Sequence, residues 1–167
     1  MEKIISKSLD DTLLFGKKLA AKLNKGDVII LTGDLGAGKT ALVTGVASYW
    51  DKQNDVSSPT FTIVNEIVLN ESLSLYHMDV YRLEDEDEFY AIGGEEYFDK
   101  GITFIEWGEN IKNALPKEFL EIKIEKDDLD ENVRKFQIIP HGEKYEKRIS
   151  DFYDNTNPIK WGILWKF

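Results

Sequence analysis

The sequence predicts an α/β fold built around a parallel sheet, and three observations support this prediction. Two continuous apolar runs, residues 28–32 and 101–105, have the composition of short strands that are buried on both faces of a parallel sheet. The first run leads directly into a glycine-rich loop, and residues 40–50 then have the composition of a helix. Strand, glycine-rich loop and helix in this order form the local structure of a phosphate-binding loop.

The other predicted elements surround these two strands in the sequence. The spacing of apolar residues predicts a first helix over residues 10–23, with Asp10 or Asp11 as its N-cap. Residues 61–68 and 73–79 have strand composition, and because the turn between them is too short for a parallel crossover, they predict an antiparallel hairpin. The remaining predicted elements are an acidic helix over 84–92, a helix over 109–115, and two alternating strands over 119–125 and 133–139.

Length and composition limit the domain organisation. The 167 residues are a one-domain length, and we expect residues 1–140 to form this domain and residues 141–167 to be a C-terminal appendage. The chain contains no cysteine, which excludes disulfides, thiolate zinc sites and cysteine nucleophiles. No segment resembles a signal peptide or is apolar for long enough to span a bilayer, so we expect a soluble cytoplasmic protein.

The acidic composition bears on the partners of the protein. The 21 basic and 31 acidic residues give a formal net charge of −10. Because a nucleic-acid-binding surface needs clustered lysine and arginine for its phosphate contacts, we expect any nucleic acid to be reached only through a partner protein. The charge is equally consistent with a role in solubility alone.

The glycine-rich loop spans residues 33–40 and matches the pattern G-x-x-x-x-G-K-T of nucleoside triphosphate-binding P-loops. In such loops the glycines let backbone N–H groups converge on an anion, and the following helix adds the positive end of its dipole. We expect Lys39 to bind the β- and γ-phosphates and Thr40 to give its hydroxyl to Mg²⁺. The expected ligands are therefore ATP and Mg²⁺.

A P-loop also needs an acid beside the metal ion, and two carboxylates follow predicted strands. Glu106 follows the continuous apolar run, whereas Asp79 follows an alternating and therefore less central strand. We expect Glu106 to act on the metal side, and Asp79 to position the attacking water or to sense the γ-phosphate. An ordinary surface acid at a strand end remains the alternative for each.

Further polar residues near these acids have two interpretations each. His77 shares a strand face with Asp79, so it either orients Asp79 or serves in packing. Arg82 either stabilises transferring charge or pairs with the acidic helix. Ser58 and Thr60 place hydroxyls in a segment that acts as a γ-phosphate switch in P-loop proteins, and a plain loop is the alternative.

Four motifs occur in a fixed order along the chain: the loop 33–40, Ser58-Pro-Thr-Phe61 with Val64-Asn-Glu66, His77-Met-Asp-Val-Tyr-Arg-Leu83, and Ile105-Glu-Trp107. Over roughly residues 5–140 the chain thereby resembles the TsaE (YjeE) family, the small bacterial ATPases of tRNA threonylcarbamoyladenosine biosynthesis. The resemblance implies a three-layer P-loop nucleotide-binding fold, with a mostly parallel central sheet and antiparallel flanking strands. It also implies ATP hydrolysis that is weak without the partner proteins TsaB and TsaD, which place the threonylcarbamoyl group on the adenosine next to the anticodon.

The resemblance also implies roles for individual residues. Thr40 and Glu106 correspond to metal-binding positions, and Asp79 matches an aspartate important for activity. Together with Lys39, the two acids form the expected catalytic set. The implied nucleotide contacts are Leu35, Gly36, Ala37, Gly38, Lys39 and Thr40 in the loop, and Asp10, Glu109 and Arg134 elsewhere.

Two functions other than ATP hydrolysis remain open. A small-molecule kinase with the same loop would usually close its acceptor pocket with an arginine-bearing lid, but residues 85–100 contain no arginine. A nucleotide switch would act through binding alone. Its GTPase form would need a guanine-reading motif after the loop, and the near match at residues 24–27 precedes the loop, which favours adenine.

Overall fold

The structure is a computed structural model that describes residues 3–51, 56–60 and 63–150, together with the backbone of residues 165 and 166. Eight strands are found in these segments: β1 Lys3–Ser6, β2 Val28–Thr32, β3 Val64–Asn70, β4 Leu73–Asp79, β5 Ile102–Glu106, β6 Phe119–Lys126, β7 Arg134–His141 and β8 Trp165–Lys166. The described α-helices are α1 Leu9–Ala20, α2 Lys39–Ala47, α3 Glu86–Ala91 and α4 Glu143–Ile149. Short 3₁₀ segments cover Ser48–Trp50, Gly94–Asp99 and Gly108–Ala114.

The strands form one mixed sheet in the order β3-β4-β5-β2-β6-β7-β1-β8. The four central strands, β4, β5, β2 and β6, are parallel to one another. Antiparallel pairing adds β3 at one side and β7, β1 and β8 at the other. This arrangement confirms the predicted parallel centre with antiparallel flanking strands.

The strand order brings the predicted acids to the glycine-rich loop. Strand β5 lies between β4 and β2, and Asp79 is the register partner of Glu106. The carboxyl ends of parallel strands meet at one edge of a sheet, where ligands bind in α/β folds. Glu106 therefore lies one strand away from the loop that follows β2, and Asp79 lies two strands away.

Two apolar clusters cover the two faces of the sheet and give the fold its three layers. One cluster contains Phe15 of α1, Leu42 of α2 and Tyr145 of α4, packed with Ile29 of β2. The other contains Phe89 of α3 and the alternate residues of β2, such as Ile30. Because consecutive strand residues point to opposite faces, a continuous apolar run is what a strand covered on both sides requires.

Helices α1 and α2 pack so closely that glycine is required at their contact. A Cβ atom on Gly45 would lie 2.4 Å from the carbonyl oxygen of Leu13, and one on Gly16 would lie 2.5 Å from that of Leu42. Such distances are far below van der Waals contact. The helix that follows the glycine-rich loop is thus held against its neighbour by direct backbone packing.

Several local features differ from the sequence-based predictions. The N-cap of α1 is Ser8, whose hydroxyl accepts a hydrogen bond from the N–H of Asp11, so the prediction of Asp10 or Asp11 as N-cap is wrong. The segment predicted as a helix over 109–115 consists of 3₁₀ turns with a non-helical backbone at Ile111. Strand β1 and helix α4 were not predicted, because each is too short to show a clear period.

Helix α4 is anchored on the buried carboxylate of Asp27. This carboxylate accepts hydrogen bonds from the hydroxyl of Tyr145 and from the guanidinium of Arg148, and it lies 2.9 Å from the ammonium of Lys144. Tyr145 is fully buried. The domain boundary expected near residue 140 stays a prediction, and most of the aromatic tail after residue 150 lies outside the described residues. No helix in the described segments is long and apolar enough to cross a bilayer.

Candidate functional site

The glycine-rich loop adopts backbone conformations that only glycine adopts readily. Gly36 has a φ of 75° and Gly38 a φ of 112°, both in the left-handed region that disfavours side chains. Gly38 is the N-cap of α2 and offers no side chain to the first N–H groups of that helix. The start of α2 therefore presents backbone donors and a positive dipole end to an anion.

Lys39 lies at the centre of the site. Its ammonium donates a hydrogen bond of 2.7 Å to the carbonyl oxygen of Gly33, within the same loop. The same ammonium lies 3.7 Å from Oε1 of Glu106 and 5.9 Å from the ring centroid of Trp107. The only full positive charge contributed by the loop is thus shared between the loop backbone and Glu106, the last residue of β5.

The loop and the strand ends together line a cavity of about 440 Å³. The lining includes Leu35, Gly36, Gly38, Lys39 and Thr40 from the loop, and Asp79 and Glu106 from the strand ends. Ser58 and Thr60 line the same cavity. The structure therefore brings the predicted metal-binding and catalytic residues together with all the predicted loop contacts except Ala37, which is buried and outside the lining. The individual roles of these residues stay predictions.

Glu106 is the more buried of the two acids. Burial raises the pKa of Glu106, the ammonium of Lys39 opposes this shift, and the carboxylate of Asp79 adds to it. A carboxyl group whose ionised form is penalised by burial gains most when a cation arrives beside it. The electrostatics of Glu106 therefore suit a group that holds a metal ion.

His77 lies two residues before Asp79 on β4, so both side chains are on the same face of the sheet. Its ring is completely buried, and Nε2 is 3.8 Å from Oε2 of Glu106. Burial, followed by the positive charge of Lys39, lowers the pKa of His77 to about 4. The imidazole is therefore neutral near pH 7 and faces the acid on β5.

The segment that holds Ser58 and Thr60 is tied to Asp79 through the backbone. The N–H of Asp79 donates to the carbonyl oxygen of Ile63 at 2.8 Å, and the N–H of Ile63 donates to that of Pro59 at 3.0 Å. Ile63 has a φ of 63°, which is unusual for a β-branched residue and indicates local strain. The hydroxyls of Ser58 and Thr60 are hydrogen-bonded to each other at 2.8 Å.

Two aromatic residues of the site were not predicted. Tyr81 and Trp107 line the cavity, and their ring centroids are 4.8 Å apart. Trp107 directly follows Glu106 and has a φ of 63°, so the chain turns sharply after the acid. Both residues belong to the motifs that resemble the family, but an aromatic residue after a strand carries no chemical signal of its own.

The three nucleotide contacts expected outside the loop differ in their placement. Glu109 lines a smaller cavity of about 190 Å³ together with Lys39 and Trp107, and Nε of Arg134 donates to the carbonyl oxygen of Ala37 at 2.8 Å. Asp10 is exposed in the first turn of α1, and among the described residues it is not part of the lining of either cavity.

The donor set fits Mg²⁺ bound together with phosphate. Among the described residues there is no group of three or more histidine, cysteine, aspartate or glutamate residues that would hold a metal ion alone. Mg²⁺ is typically held by one or two carboxylates together with substrate phosphates and water. A site with Glu106, the hydroxyl of Thr40 and phosphate oxygens has this character.

Comparisons with known proteins give a consistent result. The family model described as "Threonylcarbamoyl adenosine biosynthesis protein TsaE" matches residues 6–136. The tRNA threonylcarbamoyladenosine biosynthesis protein TsaE of Bacillus subtilis is 43% identical over 150 residues, which are 89% of this chain and 91% of that protein. The protein of the same name from Treponema pallidum is 40% identical over 121 residues, which are 72% of this chain and 88% of that protein.

A solved structure shares the fold described above. The crystal structure of Bacillus subtilis YdiB superposes with a TM-score of 0.69 at 32% sequence identity, and the match covers 90% of this chain and 95% of that chain. The family match includes the glycine-rich loop and both acids of the site. On these grounds, this chain belongs to the TsaE family.

Proposed function

We propose that this protein is a cytoplasmic, Mg²⁺-dependent ATPase that supports the threonylcarbamoylation of tRNA together with the proteins TsaB and TsaD. The observation that carries the proposal is the meeting of the loop 33–40 with Glu106 and Asp79 around one cavity. The names of the relatives support the pathway. The two partners follow from the family resemblance of the motifs, and hydrolysis without them is expected to be weak.

Binding of the triphosphate depends on the loop and on Lys39. The N–H groups of the loop and of the first turn of α2 bind phosphate oxygens, and the ammonium of Lys39 exchanges the carbonyl of Gly33 for the β- and γ-phosphates. Thr40 and Glu106 would hold Mg²⁺. When bound, the metal ion supplies positive charge that offsets the charge of the phosphate oxygens.

Hydrolysis requires a water molecule in line with the bond between the β- and γ-phosphates. The oxygen of this water forms a bond to the γ-phosphorus, the bond to the bridging oxygen breaks, and ADP leaves with the electron pair. Oδ1 of Asp79 accepts a hydrogen bond of 2.9 Å from the N–H of Tyr81, which fixes the carboxylate at the cavity. This contact supports the proposal that Asp79 orients the water and accepts its proton.

The proposal is tested by reconstitution with purified TsaB, TsaD and tRNA. We expect the partners to accelerate ATP hydrolysis by the wild-type protein, and Lys39→Ala and Asp79→Ala to reduce tRNA modification by about 100-fold or more. If the partners neither bind the protein nor change its hydrolysis, the proposal is wrong. Phosphate transfer to a metabolite in a substrate screen would instead support a small-molecule kinase.

A further variant separates hydrolysis from switching. Glu106→Gln keeps the size of the side chain and removes the charge that would hold the metal ion. We expect this variant to bind ATP without metal as well as the wild type and to fail in modification. Full modification by Glu106→Gln would show that nucleotide binding alone is sufficient.

A further inference from the structure

His77 is a buried polar residue without a hydrogen-bond partner. Neither Nδ1 nor Nε2 has such a partner among the described residues, and the side chain has no exposed surface. Buried polar groups in native proteins are nearly always hydrogen-bonded, so each exception needs an explanation. An apolar residue would fill this position without the penalty, which suggests a function for the imidazole.

A carboxylate of the site lies close to this imidazole. Nε2 of His77 lies 3.8 Å from Oε2 of Glu106, which is less than 1 Å beyond hydrogen-bond distance. The other carboxylate oxygen, Oε1, faces the ammonium of Lys39 at 3.7 Å. Glu106 therefore lies between the ammonium of Lys39 on one side and the imidazole of His77 on the other.

An imidazole N–H is chemically suited to support a carboxylate that holds a metal ion. It donates a hydrogen bond to one carboxylate oxygen and leaves the remaining lone pairs of the carboxylate for the metal ion. In known metal sites the ligating carboxylates are themselves hydrogen-bonded, and these outer contacts fix their orientation. His77 is buried on the same face of the sheet as Glu106, and its register partner on β5 is Phe104, two residues before Glu106.

We propose that His77 is a positioning residue for Glu106, to which its Nε2–H donates a hydrogen bond once Mg²⁺ and nucleotide are bound. This inference rests on the proposed function. When the ammonium of Lys39 turns to the phosphates, Glu106 loses its nearest cation, and a movement of less than 1 Å brings Oε2 to the imidazole. The hydrogen bond then fixes the carboxylate in the orientation that holds the metal ion.

Two substitutions at this position separate positioning from packing. His77→Gln keeps an N–H donor at similar reach, whereas His77→Leu fills the space without a donor. We expect His77→Leu to raise the Mg²⁺ concentration for half-maximal ADP binding by about 10-fold, and His77→Gln to stay close to the wild type. Calorimetric titrations of ADP at several Mg²⁺ concentrations measure this shift.

Metal-free binding and stability provide the controls for these variants. We expect both variants to bind ADP in EDTA with wild-type affinity, because the loop itself is unchanged. Thermal unfolding of His77→Leu without nucleotide should occur at or above the wild-type temperature, because a buried group without a partner has been removed. A large loss of stability in His77→Leu would instead indicate a purely structural histidine and contradict the proposal.

A second experiment leaves His77 unchanged. The chain has two histidines, and the other, His141, pairs with Glu121 outside the site. In a His141→Gln background the imidazole ¹H–¹⁵N spectrum therefore reports His77 alone. We expect a neutral ring protonated on Nε2, and a downfield shift of its proton when Mg²⁺ and ADP are added together.

The outcomes distinguish the inference from the function on which it rests. If the wild-type protein does not bind ADP with Mg²⁺, the proposed function fails. If the wild type binds with a clear Mg²⁺ dependence and His77→Leu shows the same dependence, only the role of His77 is overturned. A proton on Nδ1, or an unchanged Nε2 proton at saturating Mg²⁺ and ADP, overturns it as well.

Discussion

Lys126 contacts the glycine-rich loop from the end of β6. Its ammonium donates a hydrogen bond of 3.1 Å to the carbonyl oxygen of Leu35, and Arg134, its register partner on β7, binds the carbonyl of Ala37. Each bond draws a loop carbonyl towards the β6–β7 hairpin. The neighbouring N–H groups are then left for an anion, which is the arrangement that a phosphate-binding loop needs.

Substitution of Lys126 tests this arrangement. We expect Lys126→Ala to raise the Kd for ADP by roughly 3- to 10-fold, because a typical hydrogen bond contributes about 1 kcal/mol. Lys123→Ala is the control, since Lys123 lies on the same strand, pairs with Glu121 and carries the same charge. Equal effects of the two substitutions in calorimetry would show that Lys126 acts through its charge and not through its hydrogen bond to Leu35.

At the scale of elements, α4 depends on one buried carboxylate. Lys144, Tyr145 and Arg148 all reach Asp27, which has no exposed surface and follows the turn before β2. Tyr145 also accepts a hydrogen bond from the N–H of Val28 at 3.1 Å. The helix therefore fixes the start of the strand whose other end carries the glycine-rich loop.

Removal of both cations of this anchor should be costly. The double substitution Lys144→Ala/Arg148→Ala leaves a buried carboxylate without a counter-charge, and we expect it to lower the free energy of unfolding by about 3 kcal/mol. The melting temperature should fall by roughly 6–12 °C. Lys17→Ala/Lys147→Ala removes the same charge from exposed positions and should change the free energy of unfolding by less than about 1 kcal/mol. A similar loss in both double variants would argue against the anchor.

The contribution of Tyr145 should depend on alkaline pH. Burial, followed by the charge of Asp27, raises the pKa of Tyr145 above its usual value of 10.0, so the unfolded chain loses this proton first as the pH rises. The hydroxyl therefore stabilises the fold fully below pH 10, and this contribution is lost above it. We expect Tyr145→Phe to cost about 1–3 kcal/mol near pH 9 and less near pH 11 in urea unfolding. Tyr90→Phe, at an exposed position, is the control and should change the free energy of unfolding near pH 9 by less than about 1 kcal/mol.

At the scale of the whole molecule, the net charge of −10 bears on any direct contact with tRNA. Phosphate contacts supply most of the non-specific affinity for nucleic acids, and they need clusters of basic residues. Several lysines lie close to carboxylates or carbonyl oxygens in this structure, namely Lys123, Lys126, Lys135 and Lys144. Under the proposed function, we expect any contact with tRNA to be made mainly by the proposed partner proteins.

A binding measurement checks this inference. At about 0.15 M salt we expect the protein alone to show no band shift with tRNA at micromolar concentrations, because its net charge repels the phosphates. Addition of TsaB and TsaD should produce a shifted complex. Tight binding of tRNA by the isolated protein would contradict the expectation.

Local features of this protein could be predicted from its sequence, whereas contacts between distant residues could not. The location of Lys39 and Thr40 at the cavity could be predicted because the loop pattern is formed by adjacent residues, and that of Glu106 because a continuous apolar run indicates a central strand. The contact of Lys126 with Leu35 spans 91 residues and depends on the register of the β6–β7 hairpin. Such a contact leaves no local pattern in the sequence. The orientation of His77 towards Glu106 likewise depends on how β4 pairs with β5.

The position of Trp107 has a practical consequence for the study of this site. Its indole lies 5.9 Å from the ammonium of Lys39, and it packs against Tyr81 at the edge of the cavity. If phosphate draws the ammonium away from Gly33, the electric field at the indole must change with it. Intrinsic fluorescence from Trp107 should therefore follow occupancy of the loop in real time, so that the protein carries its own optical probe for each nucleotide that enters.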